Sequence, residues 1–341
     1  MNLKELSELL GLSQTTVSRA INGYPEVSEA TRLKVQETAR AHNYSPNARA
    51  KSLATGRAHA IGHVIPISDQ HEMMNPVFGE FISGVGQVYA REGYDLCMSV
   101  VTADDELNTY RKLHARKSVD GVVLHAPLKE DPRIELLQEL KIPFVVHGRT
   151  SNSAQNYAWL DVNSFSAFSR ATELLLDLGH TRIALVNGIE TMDFAHRRRE
   201  GYEVALKDRG IPVDLDIVRS DEMTESHGYE SAKELLALEN RPSAFLSASM
   251  ICAAGIKRAI EEAGFEIGKD ISIVTFDDDL SFMVSNEDTP VFTAFRSNVR
   301  EAGAIVAEML LRQIAAPDAA LETKLLEAEL IIGRSTGPFN G

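Results

Sequence analysis

Residues 15–53 read TTVSRAINGYPEVSEATRLKVQETARAHNYSPNARAKSL, and they give the amino-terminal part of the chain its architecture. Just upstream, Leu3, Leu6, Leu9 and Leu10 recur at the three-to-four spacing of one helical face, Gly11 ends that helix, and Ser13 stands as N-cap of a second. In the second helix Val17, Ala20 and Ile21 share a face, while Gln14, Thr15, Ser18, Arg19 and Asn22 present small or hydrogen-bonding side chains on the other. The turn NGYPEV follows, Ser28 caps a third helix, and Thr31, Val35, Ala39 and His42 recur on a face able to close a three-helix core. Two short helices joined by about four residues suit a helix-turn-helix, whose second helix enters the major groove of DNA. A small helical subdomain with nothing more than a polar surface fits the same periodicity.

The 341 residues correspond to roughly two domains at ~150 residues each, and 44% hydrophobic, 25% charged and 6% aromatic residues are ordinary globular composition. The net charge of −14 argues against coating nucleic acid or anionic membrane by bulk attraction. Its distribution is uneven: residues 1–57 carry +3, which leaves −17 for the remainder. No apolar run approaches the ~18 residues of a membrane span, and the opening MNLKELSELL is amphipathic rather than signal-like, so a cytoplasmic location is expected. Cys97 and Cys252 lie in separate apolar stretches and read as reduced core residues, not as a disulfide or a metal cluster.

From Ile61 onward the strand-like runs IGHVIPI, YDLCMSVV, VDGVVLHA, IPFVVHG, RIALVNG, PSAFLSAS and ISIVTFDD alternate with amphipathic helical stretches. That alternation predicts parallel sheets covered by helices, and so many strands divide better into two sheets, split at about Trp159 to Asp161. Ligands of such sheets meet the carboxyl ends of the strands, here across a shared cleft. Enzyme chemistry finds little footing. Asp277, Asp278 and Asp279 would have to seed a magnesium site from strand residues that point to opposite faces, and Ser249 sits in no G-x-S-x-G turn. His59, His63 and His71 lack zinc spacing, and Gly84-x-Gly86 lacks a third glycine. No catalytic residue, metal or cofactor is therefore expected. A sugar-binding protein without a DNA-binding role is the other alternative; it leaves the basic head unexplained and would normally carry an export signal.

Three elements occur in order: T-V-S-R-x-x-N at Thr16 to Asn22, V-S-x-x-T-R-x-x-V at Val27 to Val35, and Y-x-P-N-x-x-A-x-x-L at Tyr44 to Leu53. Together they resemble the N-terminal signature of the LacI family of bacterial transcription regulators. LGHTRIALVNG, RRREGYEVAL, DISIVTFDD and LIIGRSTGP extend the resemblance through the body. It implies an all-α helix-turn-helix at 1–44, a hinge helix and linker at 45–59, and an α/β periplasmic-binding-protein-like body of two parallel-sheet subdomains at 60–341. The subdomains are expected at about 60–159 with 291–318 and at about 160–290 with 319–341, the chain crossing near Trp159, Pro290 and Asp318. Gln14, Thr15 and Arg19 become base readers, because arginine can bind guanine and glutamine adenine in bidentate fashion. Thr16, Ser18, Asn22, Thr31 and Asn47 become phosphate contacts, a role that competes with local capping. Pro46 opens the hinge helix, and Leu53 is the wedge inserted in the minor groove.

By the same resemblance the ligand cleft is lined by Phe78, His125, His147, Arg149, Arg198, Ser249 and Asp277, a set suited to sugar hydroxyls and an apolar sugar face. Ser249-Met250 stands where many members have Asn-Asp, Met223 replaces a frequent stacking aromatic, and His147-Gly148-Arg149 replaces a frequent Asp. These departures point away from a purine-sensing cleft and toward α-glucosides or other disaccharides. The implied function is a ligand-responsive repressor of sugar uptake or catabolism genes, a homodimer on a pseudopalindromic double-stranded operator, with no membrane partner. Only STGPFNG follows Arg334, without a leucine heptad, so no tail-mediated tetramer is expected.

Overall fold

The computed structural model describes residues 1–44, 56–67, 76–151, 156–281, 283 and 289–339. Of the hinge helix and linker expected at 45–59, residues 45–55, with Asn47 and Leu53, lie outside them. The chain forms two compact units, Met1–His59 and Ala60–Gly341.

The first unit contains α1 (Leu3–Leu10), α2 (Gln14–Ile21) and α3 (Glu29–Ala41). Asn2 and Glu5 form a reciprocal capping box on α1, and Gly11 ends that helix in the left-handed region at φ 66°. Ser13 and Ser28 accept from the Thr16 and Thr31 amides, which fixes the starts of α2 and α3. Leu6, Leu10, Val17, Ala20, Val27, Val35 and Ala39 make the core. Two residues expected inside lie outside. Leu9 is 55% exposed, because at about 100° per residue it falls beyond the arc shared by Leu3, Leu6 and Leu10. His42 is exposed because α3 has already ended and the residue serves as its C-cap.

The second unit has two six-stranded sheets. The first contains β1 (Ala60–Ile67), β2 (Asp95–Thr102), β3 (Gly121–His125), β4 (Phe144–His147), β5 (Ala158–Val162) and β11 (Thr323–Leu326), in the order β11-β5-β4-β3-β1-β2 and parallel throughout. The second contains β6 (Ile183–Asn187), β7 (Val218–Ser220), β8 (Ala244–Ser247), β9 (Ser272–Asp277), β10 (Thr293–Arg296) and β12 (Glu329–Ile331). Its order is β12-β10-β9-β8-β6-β7, with β12 alone antiparallel. Helices bury both faces of each sheet, which is why runs such as Val122-Val123-Leu124 are apolar without alternation.

The crossings between lobes differ from expectation. They follow Val162, Arg296 and Leu326, since β5 and β11 belong to the first sheet and β10 to the second. A strand that left its sheet midway would abandon ladder hydrogen bonds in a buried place, so each crossing waits for the end of a strand.

The helices pack closely. In the first lobe α4 (Pro76–Glu92) crosses α11 (Val299–Ala315), and a Cβ on Gly84 would overlap the Arg300 carbonyl oxygen. In the second lobe α9 (Glu225–Leu236) crosses α10 (Met250–Glu262), where Gly228 and Gly255 each meet the other helix's backbone. Each sheet changes winding direction beside its first strand, between β1 and β3 and between β6 and β8, and ligands of open parallel sheets bind in the crevice outside such points.

Candidate functional site

On α2, Gln14, Thr15 and Arg19 are exposed, and their side chains make no hydrogen bond or ion pair among the described residues. The neighbouring hydroxyls are engaged locally: Thr16 Oγ1 lies 2.8 Å from Ser13 Oγ, and Thr31 Oγ1 lies 2.8 Å from Ser28 Oγ. Asn22 donates to the Ser18 carbonyl at 2.8 Å, and Ser18 is half-buried. Tyr24, in the turn after α2, is also exposed.

In the body, β3 and β4 end side by side on His125 and His147, which are in register. The Phe81 ring stacks on His147 at 4.4 Å between centroids and meets His125 edge-on at 5.0 Å. Phe78, one helical turn earlier on α4, meets His125 edge-on at 5.3 Å. His63 on β1 is fully buried; its Nδ1 lies 3.0 Å from His125 Nε2 and its Nε2 lies 3.2 Å from Tyr89 Oη. Burial disfavours the imidazolium form, lowering His63 to about 3 and His147 to about 4 and holding His125 well below its ordinary range. This wall therefore offers uncharged donors and acceptors with aromatic faces. Arg149 is turned elsewhere: its Nε donates to Asp161 at 3.0 Å, and its guanidinium lies 5.3 Å from the centre of the Trp159 ring.

The second lobe carries the remaining expected ligand residues. Three consecutive arginines lie on α8 (Asp193–Asp208), and the structure separates their roles. Arg197 pairs with Asp161 and Asp193, and Arg199 pairs with Glu190 and Glu203. Arg198 has no carboxylate within ion-pair distance among the described residues; its guanidinium sits over Phe168, Phe194 and Phe276 at 5.2, 4.9 and 4.4 Å. Its Nη1 donates to the Ala248 carbonyl at 2.7 Å, while its Nε is buried without a partner. Burial lowers Arg198 to about 10, so it remains charged at neutral pH. The Met223 sulfur lies 3.8 Å from Nη1.

Two expected ligand residues are occupied within the protein. Ser249 caps α10, accepting from the Cys252 amide at 3.2 Å. Asp277 accepts from Arg296 Nε and from the Asp279 amide, both at 2.8 Å. Sequence reasoning weighed the next residue only as a magnesium ligand: the Asp278 carboxyl has no hydrogen-bond donor among the described residues, and burial raises it to about 7 against the opposing pull of Arg198.

Besides the Arg197–Asp161 ion pair, two sets of contacts tie the lobes together. In one, Leu128 and Met192 form a β-bridge, the Asp193 amide donates to the Pro127 carbonyl at 3.0 Å, and the Ser151 amide donates to Asp193 Oδ1 at 2.9 Å. In the other, Glu80 on α4 accepts from the amide and hydroxyl of Ser281, in the loop after β9, and from Arg300 Nε. Among the described residues no group of acidic, histidine or cysteine side chains has the geometry to hold a metal ion, and no helix is long and apolar enough to cross a membrane.

Residues 2–47 match the family described as bacterial regulatory proteins, lacI family, and residues 172–336 match a periplasmic binding protein-like domain. The HTH-type transcriptional regulator AglR of Rhizobium meliloti is 43% identical over 343 residues, covering 99% of this chain and 95% of that protein. The HTH-type transcriptional regulator RafR of Escherichia coli is 33% identical over 81% of this chain and 82% of its own length. Among solved structures, the lac repressor dimer bound to operator and the anti-inducer ONPF superposes with a TM-score of 0.82 at 25% identity, covering 99% of both chains. A transcriptional regulator CelR–cellobiose complex superposes with a TM-score of 0.73 at 25% identity, covering 98% of this chain and 99% of that one.

Proposed function

Because the chain belongs to the LacI family of bacterial transcription regulators, we propose that a neutral sugar held between the lobes of its body changes the affinity of its head for operator DNA. It is a DNA-binding transcription regulator, and its close relatives are regulators, not enzymes. Working as a homodimer, it meets a two-fold symmetric operator with two heads. Residues 1–44 bind DNA, 45–59 form the hinge through which the two functions are coupled, and 60–341 hold the effector. Its target genes are those of sugar uptake or catabolism, which it represses.

The observation that carries the sugar reading is the charge pattern of the cleft: three uncharged imidazoles and two phenylalanines on one wall, one arginine and one carboxyl on the other. Such a set pairs donors and acceptors with vicinal hydroxyls and offers rings to an apolar sugar face, with no surplus of positive charge for a phosphate or a sugar acid. Phe78, His125 and His147 contact the effector from the first lobe, Arg198 and Asp278 from the second. Asp277 and Ser249 shape the second wall, and Arg149 holds the crossing strand. On DNA, Gln14, Thr15 and Arg19 read bases, Thr16, Ser18, Asn22, Thr31 and Asn47 contact phosphates, and Leu53 wedges into the minor groove.

A thermal-shift screen tests this, since a ligand of the native state raises the melting temperature. Neutral mono- and disaccharides, hexuronates, sugar phosphates and purines are compared at equal concentration. A neutral saccharide is expected to stabilise the protein and then to change its operator affinity in a titration at fixed salt. Stabilisation by purines or anionic sugars alone would overturn the reading.

A further inference from the structure

The geometry points to a hydrogen-bond relay, Tyr89 to His63 to His125, that fixes His125 as a one-way donor into the cleft, so that the effector must place an acceptor oxygen against its Nδ1. The inference rests on the reading of this cleft as the effector site and assigns its polarity.

His63 is neutral and fully buried, so its ring carries one N–H and one lone pair, and both nitrogens are engaged. Only two arrangements satisfy them. In the first, the Tyr89 hydroxyl donates to His63 Nε2, His63 Nδ1–H donates to His125 Nε2, and the one proton left to neutral His125 sits on its Nδ1. In the second, every bond runs backwards: His125 Nε2–H donates to His63, and His63 Nε2–H donates to the Tyr89 oxygen. That arrangement leaves the Tyr89 hydroxyl proton without an acceptor. Tyr89 is 1% exposed, and His63 is its only side-chain hydrogen-bond partner among the described residues. A buried hydroxyl donor left unpaired costs about 1–3 kcal/mol, and that penalty favours the first arrangement.

His125 Nδ1 has no protein partner among the described residues and is not among the polar atoms sealed from solvent without one. The donor is therefore available to a ligand. The ring and glycosidic oxygens of a sugar only accept, so they match a fixed donor without turning a hydroxyl. Tyr89 and His63 act as positioning residues, one and two bonds removed from the ligand.

Long-range proton–nitrogen correlation spectra of the full-length protein, labelled with nitrogen-15 histidine and assigned with His63→Gln and His125→Gln, read each tautomer directly and need no effector. His63 and His125 are both expected as Nδ1–H, the tautomer that an isolated histidine disfavours. In Tyr89→Phe the polarity loses its source, and both are expected to revert to Nε2–H while His147 keeps its wild-type spectrum; a melting curve confirms that the variant is folded. His125 found as Nε2–H in the wild-type protein would overturn the relay, as would an Nδ1–H tautomer that survives Tyr89→Phe. A failed sugar screen beside the expected spectra would sink the choice of effector and leave the relay standing.

Discussion

Replacing Arg19 with alanine separates base reading from bulk attraction. The side chain is exposed on α2 between the buried Val17 and Ala20, and it has no partner among the described residues. Its loss leaves the core of the head intact, and folding stability is expected to move by no more than about 0.5 kcal/mol. On DNA the cost is larger. A bidentate arginine–guanine pair discriminates by about 1–3 kcal/mol, and a two-fold dimer presents two copies, giving about 2–6 kcal/mol, or roughly 30-fold to 10⁴-fold in operator affinity.

Fluorescence anisotropy with an operator selected from random duplexes measures this, at several salt concentrations and against a duplex changed symmetrically at one base pair per half-site. The wild-type protein is expected to distinguish the two duplexes and Arg19→Ala to bind them alike, with a nearly unchanged salt slope. If affinity instead fell equally on every sequence and the slope dropped by about two, Arg19 would be a phosphate contact, since each such contact contributes about 0.9. An unchanged operator affinity would remove the residue from the interface.

Asp278→Asn is expected to weaken effector binding at least about tenfold, the worth of one charge-assisted hydrogen bond, and Asp277→Asn less, because Asp277 faces Arg296; calorimetry with the stabilising saccharide ranks them. Asp278 is raised on folding from 3.8 to about 7, so the native state holds the extra proton and stability falls as pH rises across that window. Urea unfolding at successive pH values should show a shallower fall for Asp278→Asn. Glu80 acts in the opposite sense: hydrogen bonds from Ser281 lower it, so its contribution is present above the unfolded value of 4.5 and is lost as pH falls through the lower folded value. Glu80→Gln should blunt that acid-side loss. Gly84→Ala forces a methyl group into the Arg300 carbonyl and is expected to cost about 2 kcal/mol or more, whereas Gly86→Ala on the same helix meets open space and should stabilise by about 0.5–1 kcal/mol; urea midpoints decide.

The fold was legible where local chemistry punctuates the chain. Ser13 and Ser28 announce their helices because an N-cap satisfies backbone amides within three residues, and the apolar runs announce buried parallel strands because both faces are covered. The lobe boundaries were less legible. β5 is held in the first sheet by β4 on one side and by β11 on the other, where Lys324 and Leu326 lie opposite Leu160 and Val162 more than 160 residues later, and nothing near Trp159 records that second pairing. Leu9 shows the same limit on a small scale, since a leucine reads as core until its angle around α1 is known.

At the site, residue type was legible and partnership was not. Asp277 and Asp278 carry the same side chain, but the strand's alternation sends the first to Arg296 and leaves the second beside Arg198. In RRR, the flanking arginines have carboxylates within reach, whereas the middle one has aromatic rings and no carboxylate within ion-pair distance among the described residues. Arg149 is diverted by Asp161, twelve residues on, and Ser249 is spent on a helix start. His63 shows the converse: in the sequence it was weighed only for zinc spacing. Its role exists only because Tyr89 from the next helix and His125 from the neighbouring strand close on its two nitrogens. A polar side chain becomes available to a ligand when the fold leaves it without a protein partner, and that property belongs to three-dimensional neighbours.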